Sequence, residues 1–140
     1  MARHPDCLKN LEAELFDALD AAEKAGLDKP DGHFAFQRGM TALDLVTLER
    51  AERIYEPLSA DPVTRDYVVH LDNQLRGLVE RIDVLRTRIE VSLEAELDDR
   101  ASLSRELHRL AAQLRARFRR EAALLPVFKA WQERQDRLSA

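Results

Sequence analysis

One run of apolar residues repeats with the spacing of a helical seam, and it limits the folds open to this chain more than any other feature. Successive members are separated by 3, 4, 3, 4, 3 and 4 residues, without a miss over 22 residues. They are Val68, Leu71, Leu75, Leu78, Ile82, Leu85 and Ile89. Such a seam is typical of a long helix packed along its length against other helices. Asp61 and Pro62 precede it as an N-cap acid and a first-turn proline, so we expect a helix from there to about residue 97.

A first helix is predicted near the start of the sequence. We expect it to run from residue 5 or 6 to residue 25, because apolar residues recur there at helical spacing. Gly26 then stands where a left-handed helix stop is expected, and residues 29–32 predict a turn.

The second helix has a clearer end than start. Thr41, with Asp44 three residues on, gives a capping-box arrangement, so we expect the helix to begin there. Residues 33–39, just before it, can be helix or loop. Pro57 and residues 59–60 mark its end.

A fourth helix is expected from about Ser102, after a weak boundary at residues 98–100. Pro126 lacks a backbone N–H, so it must kink this helix or begin a new segment. The residues that follow predict a short helical tail that packs back on the other helices. Its apolar side chains are Val127, Phe128, Trp131 and Leu138.

The predicted fold class is therefore all-α: an up-down antiparallel four-helix bundle with a short C-terminal helical tail. Short connections between long helices favour antiparallel neighbours. The chain has 140 residues with only 4 Gly and 5 Pro, and 45% are hydrophobic and 34% charged. These values suit one globular domain over residues 1–140. A long coiled-coil hairpin that dimerises into a bundle would show the same seams, and this alternative stays open.

Several classes of function find no support in the sequence. Cys7 is the only cysteine, so no disulfide can form within the chain, and we expect a reducing compartment. The N-terminus does not resemble a signal or transit peptide, and no apolar run approaches the ~20 residues of a membrane span. We therefore expect a cytoplasmic protein that does not enter a membrane.

Metal and catalytic sites are also not predicted. The four histidines lack the His and Glu neighbours, three or four residues away, that bundle metal sites use. They are His4, His33, His70 and His108. No glycine-rich phosphate loop or nucleophile elbow is present. We expect no metal, no cofactor and no enzymatic activity.

Positive charge is concentrated late in the sequence. Residues 100–120 contain seven arginines and one acid, Glu106, whereas residues 1–60 contain 12 acidic and 7 basic residues. An arginine cluster on one helix face favours a partner protein with an acidic surface, although a solvated helix face shows the same pattern. The predicted partner-binding residues are Arg105, Arg109, Arg115, Arg119 and Arg120. The net charge of −4 and 6% aromatic content do not favour sequence-specific nucleic-acid binding.

One acid, Glu121, falls on the apolar stripe of the same helix, in line with Leu114 and Phe118. A charge in such a position is costly unless it is paired. We expect Glu121 to point to the edge of the seam and to pair with Arg117, one turn back, or with an arginine of another helix. Deep burial of Glu121 with a functional partner is the alternative.

The segment around Glu121 resembles the signature helix of hemerythrin-like proteins, which contains Leu-x-x-His-Phe-x-x-Glu. Leu114, Phe118 and Glu121 stand in matching places, and a leucine and a proline follow, as they do in that motif. The metal-binding histidine of that family falls on Arg117. Because a guanidinium cannot coordinate a cation, the resemblance implies a hemerythrin-type bundle in which an Arg117–Glu121 ion pair replaces the metal.

The segment is also similar to the C-terminal helix of the regulator of sigma D family of metal-free bundles. An Ala-Arg-Phe-x-x-Glu-Asp run there is matched by residues 116–118 and Glu121, with Ala122 in place of the second acid. Together the two resemblances cover about 15 residues. They imply a bundle that binds a partner protein, with a transcription component as the suggested partner.

The leading hypothesis is a metal-free, non-enzymatic helical bundle that acts as a protein-interaction or regulatory module. Two alternatives stay open. One is a hemerythrin-like protein that binds metal or senses oxygen. The other is a structural homodimer assembled through the long third helix.

Overall fold

The structure is a computed structural model of the chain, and it describes residues 5–27, 29–95 and 100–139. Within these ranges every regular element is a helix, which confirms the all-α class. The elements are α1 (Pro5–Ala25), α2 (Pro30–Arg50), a π-helix (Ala51–Tyr55), α3 (Glu56–Ser59), α4 (Arg65–Ala95) and α5 (Arg100–Ser139).

The connection between α1 and α2 is a tight glycine turn. Gly26 has φ 92°, the left-handed conformation predicted for this helix stop. Its N–H donates to the Ala22 carbonyl at 3.0 Å, and its own carbonyl accepts from Lys29 N–H at 3.1 Å. A Cβ on Gly32 would lie 1.8 Å from the Gly26 carbonyl oxygen, so only glycine fits where the two helix ends meet.

The predicted start of the second helix at Thr41 is wrong. α2 begins at Pro30, whose missing N–H costs nothing in the first turn of a helix. Residues 33–39, left open above, are helical. Thr41 lies inside α2, and its hydroxyl donates to the Gln37 carbonyl at 3.2 Å instead of capping a helix end.

α2 continues without a break into a π-helix. Glu56 N–H donates to the Ala51 carbonyl, five residues back, which is the wider turn of a π-helix. The short α3 then ends at Ser59, in agreement with the predicted end of the second helix. The wide turn changes the direction of the side chains that follow Arg50.

α4 carries the seam that the sequence predicts. All seven seam residues are buried, and α4 packs against α5, α3 and the π-helix of the same chain. Asp61 Oδ1 accepts from Val63 N–H at 2.9 Å, the expected cap contact, but the regular helix begins later, at Arg65. α4 ends at Ala95, and the predicted end near residue 97 lies outside the described residues.

α5 is one helix of 40 residues that continues through Pro126. The prediction that a new segment begins there is wrong. The prediction that a tail packs back is also wrong for Val127 and Leu138, which are largely exposed. Leu124 and Leu125 are partly buried against the core, and no described side chain beyond them is buried. The side chains of Phe128 and Trp131 lie outside the described set.

The core lies between α1, α2, α4 and α5, and their predicted apolar stripes supply it. α1 packs along α2, whereas α5 contacts both α4 and α1. Close approach of α1 and α2 depends on small residues: a Cβ on Gly39 would lie 3.0 Å from a methyl carbon of Leu19. None of the helices in the described ranges combines the length and hydropathy needed to cross a membrane.

Candidate functional site

Glu121 is completely buried, so the prediction that it lies at the edge of the seam is wrong, and three side chains surround its carboxylate. Arg50 Nε lies 2.5 Å from Oε2, Arg117 Nη1 lies 3.5 Å from Oε1, and the Tyr55 hydroxyl donates to Oε1. These four residues, together with Glu12 at their edge, are called the buried charge cluster below. They come from α1, α2, the π-helix and α5, so the cluster links most of the fold.

Arg50 connects three helices. While its Nε contacts Glu121 on α5, its Nη2 donates to Glu12 Oε1 on α1 at 2.6 Å. Its guanidinium carbon also lies 3.9 Å from the centre of the Phe118 ring, a cation–π contact. One side chain of α2 therefore fixes the positions of α1 and α5.

Arg117 makes the corresponding connection to α4. Its Nη2 donates to the Leu71 carbonyl at 2.7 Å and to the Tyr55 hydroxyl oxygen at 3.1 Å. The Tyr55 hydroxyl thus accepts from Arg117 and donates to Glu121. This chain of hydrogen bonds sets the rotation of α5 against the π-helix and α4.

Charge in the cluster is balanced. Guanidinium groups stay protonated in proteins, so Arg50 and Arg117 contribute two positive charges, which Glu12 and Glu121 neutralise. Burial raises the pKa of the Tyr55 phenol well above its usual range, and the neighbouring Glu121 carboxylate raises it further. Tyr55 is therefore a neutral hydrogen-bond donor.

The π-helix is what allows Arg50 and Tyr55 to reach the same carboxylate, that of Glu121. In an α-helix, residues five apart point about 140° away from each other. The i→i+5 hydrogen bonding of a π-helix brings such residues to the same side. A single wide turn thus directs both side chains at Glu121, and short π segments of this kind are frequent at functional sites.

The cluster offers more donors than acceptors. Arg50 Nη1 and Arg117 Nε have no hydrogen-bond partner within the part of the chain that the structure describes. Guanidinium nitrogens have no lone pair to give a cation, so the donor set fits helix linkage and not metal binding. Among the described residues, no group of three or more His, Cys, Asp or Glu side chains is placed to hold a metal ion.

The five predicted partner-binding arginines do not form one uniform surface. Arg105, Arg119 and Arg120 are exposed and have no ion pair within the described ranges. Arg109 is exposed but pairs with Glu106 at 2.7 Å. This hydrogen bond raises the pKa of Arg109 and lowers that of Glu106.

Arg115 differs from the other four because it packs onto α1. Its Nη2 lies 2.8 Å from Asp20 Oδ1, and its guanidinium covers the Phe16 ring at 4.6 Å. His108 Nδ1 likewise lies 3.3 Å from Glu23 Oε2. Acidic residues of α1 therefore pair with Arg115 and His108, on the side of α5 that faces α1.

Sequence reasoning missed Arg50 and Tyr55. Arg50 had a detectable signal, since it continues the buried stripe of Leu43 and Val46 at helical spacing, as Glu121 does on α5. Tyr55 had none, because under α-helical periodicity it falls on the opposite side from Arg50. Only the π turn brings it to the cluster.

Comparisons with protein-family models, curated proteins and solved structures gave no match to this chain. The two faces of α5 differ in what they do with their arginines. The inner face holds Arg117 and Glu121 in the buried charge cluster, and the outer face presents Arg105, Arg119 and Arg120 without ion pairs in the described part of the chain.

Proposed function

We propose that the protein is a metal-free, non-enzymatic helical bundle that acts as a protein-interaction or regulatory module. The docking surface is the outer face of α5, and its partner is a protein with an acidic surface. The observation that carries this proposal is the set of three exposed arginines, Arg105, Arg119 and Arg120, which have no ion pair with any residue that the structure describes. Unneutralised charge on one face speeds encounter with an oppositely charged partner and selects against like-charged ones.

The dimensions of this face suit a protein partner. Arg105 and Arg120 are 15 residues apart, or about 22 Å along a helix. Ala116 lies between them and is exposed, so nothing bulky blocks the centre. A charged strip of this length matches one helix or one row of carboxylates on a partner.

The inner face of α5 supports the metal-free part of the proposal. Arg117 occupies the place of a metal-binding histidine in the hemerythrin-like motif that this segment resembles. Its guanidinium and that of Arg50 contact Glu121 and so provide the positive charge that a metal would bring. The bundle is accordingly proposed to have the up-down antiparallel order, with a transcription component as the partner class that the resemblance suggests.

The test combines site-specific crosslinking with charge reversal. A photo-crosslinking amino acid is placed at Ala116, in the centre of the arginine face, and at Ala13, an exposed alanine of α1, as the matched position. In the native cell, we expect Ala116 to capture an acidic protein that Ala13 does not capture. Mass spectrometry then shows whether the captured protein belongs to the transcription machinery.

Charge reversal decides whether the arginines carry the contact. The triple variant Arg105→Glu/Arg119→Glu/Arg120→Glu should abolish capture at Ala116 while helicity, measured by circular dichroism, is unchanged. The control variant changes net charge equally at exposed sites elsewhere, namely Lys9→Glu/Lys24→Glu/Arg86→Glu, and should retain capture. Capture that survives the first variant would remove this face as the docking surface.

A further inference from the structure

The outer face of α2 carries a second apolar seam that the bundle core does not use. Its residues follow the spacing 4, 3, 4 and 3, and the large apolar members are exposed: Phe34 by 64%, Leu45 by 43% and Leu48 by 54%. The seam on α2 reads Phe34, Arg38, Thr41, Leu45 and Leu48, and the exposed Glu52 follows it at the start of the π-helix. α2 buries its other face against α1 and reaches α5 through Arg50, so within the described residues most of its outer face is not covered by another helix.

The charges on this seam are complementary to themselves under a two-fold rotation. Arg38 lies near one end and Glu52 just beyond the other, and both are exposed without an ion pair in the described part of the chain. If two copies of α2 pack antiparallel about residue 43, Thr41 faces Leu45 of the other copy and Arg38 faces Leu48. Arg38 then lies within about one helical turn, ~6 Å, of the other copy's Glu52.

The shape of the surface agrees with the same arrangement. A groove between α2 and α4 opens beside Leu48 and Ala51, and Leu75 and Val79 line its far wall. In the antiparallel arrangement the exposed Phe34 ring of one copy meets the turn from Leu48 to Glu52 of the other, next to this groove. An aromatic side chain and an apolar groove lie at opposite ends of one seam, as a self-complementary contact requires.

We propose that the outer face of α2 is a homodimer contact, in which two chains pack their α2 helices antiparallel around a two-fold axis near residue 43. This goes beyond the proposed function, since it uses a different helix and a different partner. It also places self-association away from α4, whose seam is already buried inside the chain. The contact is at the small end of specific interfaces, so the dissociation constant is expected on the order of tens of micromolar.

A charge-swap cycle in sedimentation equilibrium tests the proposal with the full chain, from about 1 µM to about 1 mM. Arg38→Glu and Glu52→Arg each place like charges together across the two-fold axis, so each should raise the dissociation constant about tenfold. The double variant Arg38→Glu/Glu52→Arg restores opposite charges and should return the constant to the wild-type value. Leu45→Glu should leave a monomer.

Two controls separate this contact from other effects. Val84→Glu introduces the same charge at an exposed apolar residue of α4 and should leave dimerisation unchanged. The α5 triple variant should also dimerise normally, so failure of the proposed function would not affect this result. A wild-type chain that stays monomeric to ~1 mM, or a dimer insensitive to Arg38→Glu and Glu52→Arg, would overturn the proposal and leave the face to another partner.

Discussion

Arg50 and Glu121 are separated by 71 residues in the chain, yet Arg50 Nε lies 2.5 Å from Glu121 Oε2 inside the core. Each of these charges alone would be expensive at this depth, and together they are tolerable because further hydrogen bonds satisfy them. The pair therefore links α2 to α5 at one specific point. We expect this contact to hold the two helices in one relative position, because a shift of either helix would leave both charges buried without their partner.

Removing the charge of Glu121 should be strongly destabilising. Glu121→Gln keeps the size of the side chain but leaves Arg117 buried without a counter-charge and Arg50 with Glu12 as its acidic partner. We therefore expect a loss of about 3–5 kcal/mol in the free energy of unfolding. Glu12→Gln is the matched control, since Glu12 is partly exposed and water can replace it. Urea denaturation measures both. Equal losses for the two variants would contradict the central position of Glu121.

Replacing the three buried charges of the cluster together should cost less stability than removing the charge of Glu121 alone. The triple variant Arg50→Met/Arg117→Met/Glu121→Leu replaces the three fully buried charged residues of the cluster with apolar side chains of similar volume, and it leaves Glu12 at the edge, where water can reach it. We expect it to unfold at a higher urea concentration than Glu121→Gln, because no unpaired charge is left inside. If the triple variant is the less stable of the two, the hydrogen bonds themselves supply the stability.

Tyr55 should make stability fall at alkaline pH. Burial raises the pKa of the folded-state phenol, so the unfolded chain loses its proton first, near its usual pKa of about 10. The contribution of Tyr55 to the free energy of unfolding is therefore fully present below pH ~10. It is lost as the pH rises above this value, by up to ~1.4 kcal/mol per pH unit. Tyr55→Phe should cost about 1–3 kcal/mol at neutral pH but flatten this alkaline slope. Unfolding free energies of both proteins between neutral and alkaline pH check the slope, with Tyr67→Phe, an exposed tyrosine, as control.

Substitution by alanine should lower the stability of the protein at Gly32 and raise it at Gly77. Gly32→Ala places a Cβ 1.8 Å from the Gly26 carbonyl oxygen, so the turn between α1 and α2 must open and the melting temperature should fall. Gly77→Ala meets nothing within 4 Å in the middle of α4, and should stabilise by about 0.5–1 kcal/mol through helix propensity. Thermal denaturation of the two variants distinguishes them. A neutral Gly32→Ala would mean that the helix ends do not meet as described.

Substitutions of Arg115 and Arg119 should have different effects, because Arg115 stabilises the fold whereas Arg119 is proposed to bind the partner. Arg115→Gln loses the Asp20 ion pair and the cover on Phe16, so we expect a loss of roughly 0.5–1 kcal/mol in unfolding free energy. Arg119→Gln breaks no contact in the described structure and should leave stability unchanged. In the crosslinking assay the effects should reverse, with Arg119→Gln weakening capture more than Arg115→Gln.

Helices were predictable where periodicity and caps agreed. The α4 seam and the Gly26 stop follow from local rules, and the structure confirms both. The start of α2 was predicted too late because Thr41 and Asp44 have the sequence pattern of a helix cap. Pro30, the true first-turn residue, lies in a stretch whose composition is typical of a turn. The tail was misplaced because a proline inside a pattern does not reveal whether the helix continues.

The sequence by itself determined that the chain is helical, where the long apolar seam of α4 lies, and that Glu121 is a charge on an otherwise apolar stripe. These properties depend on residues three or four positions apart, whose geometry the helix fixes. Only the tertiary structure decided that Arg50 and Tyr55 meet Glu121, because that contact depends on how α2 rotates against α5 and on one π turn. Pairing between distant charges is set by packing, and no local spacing encodes it.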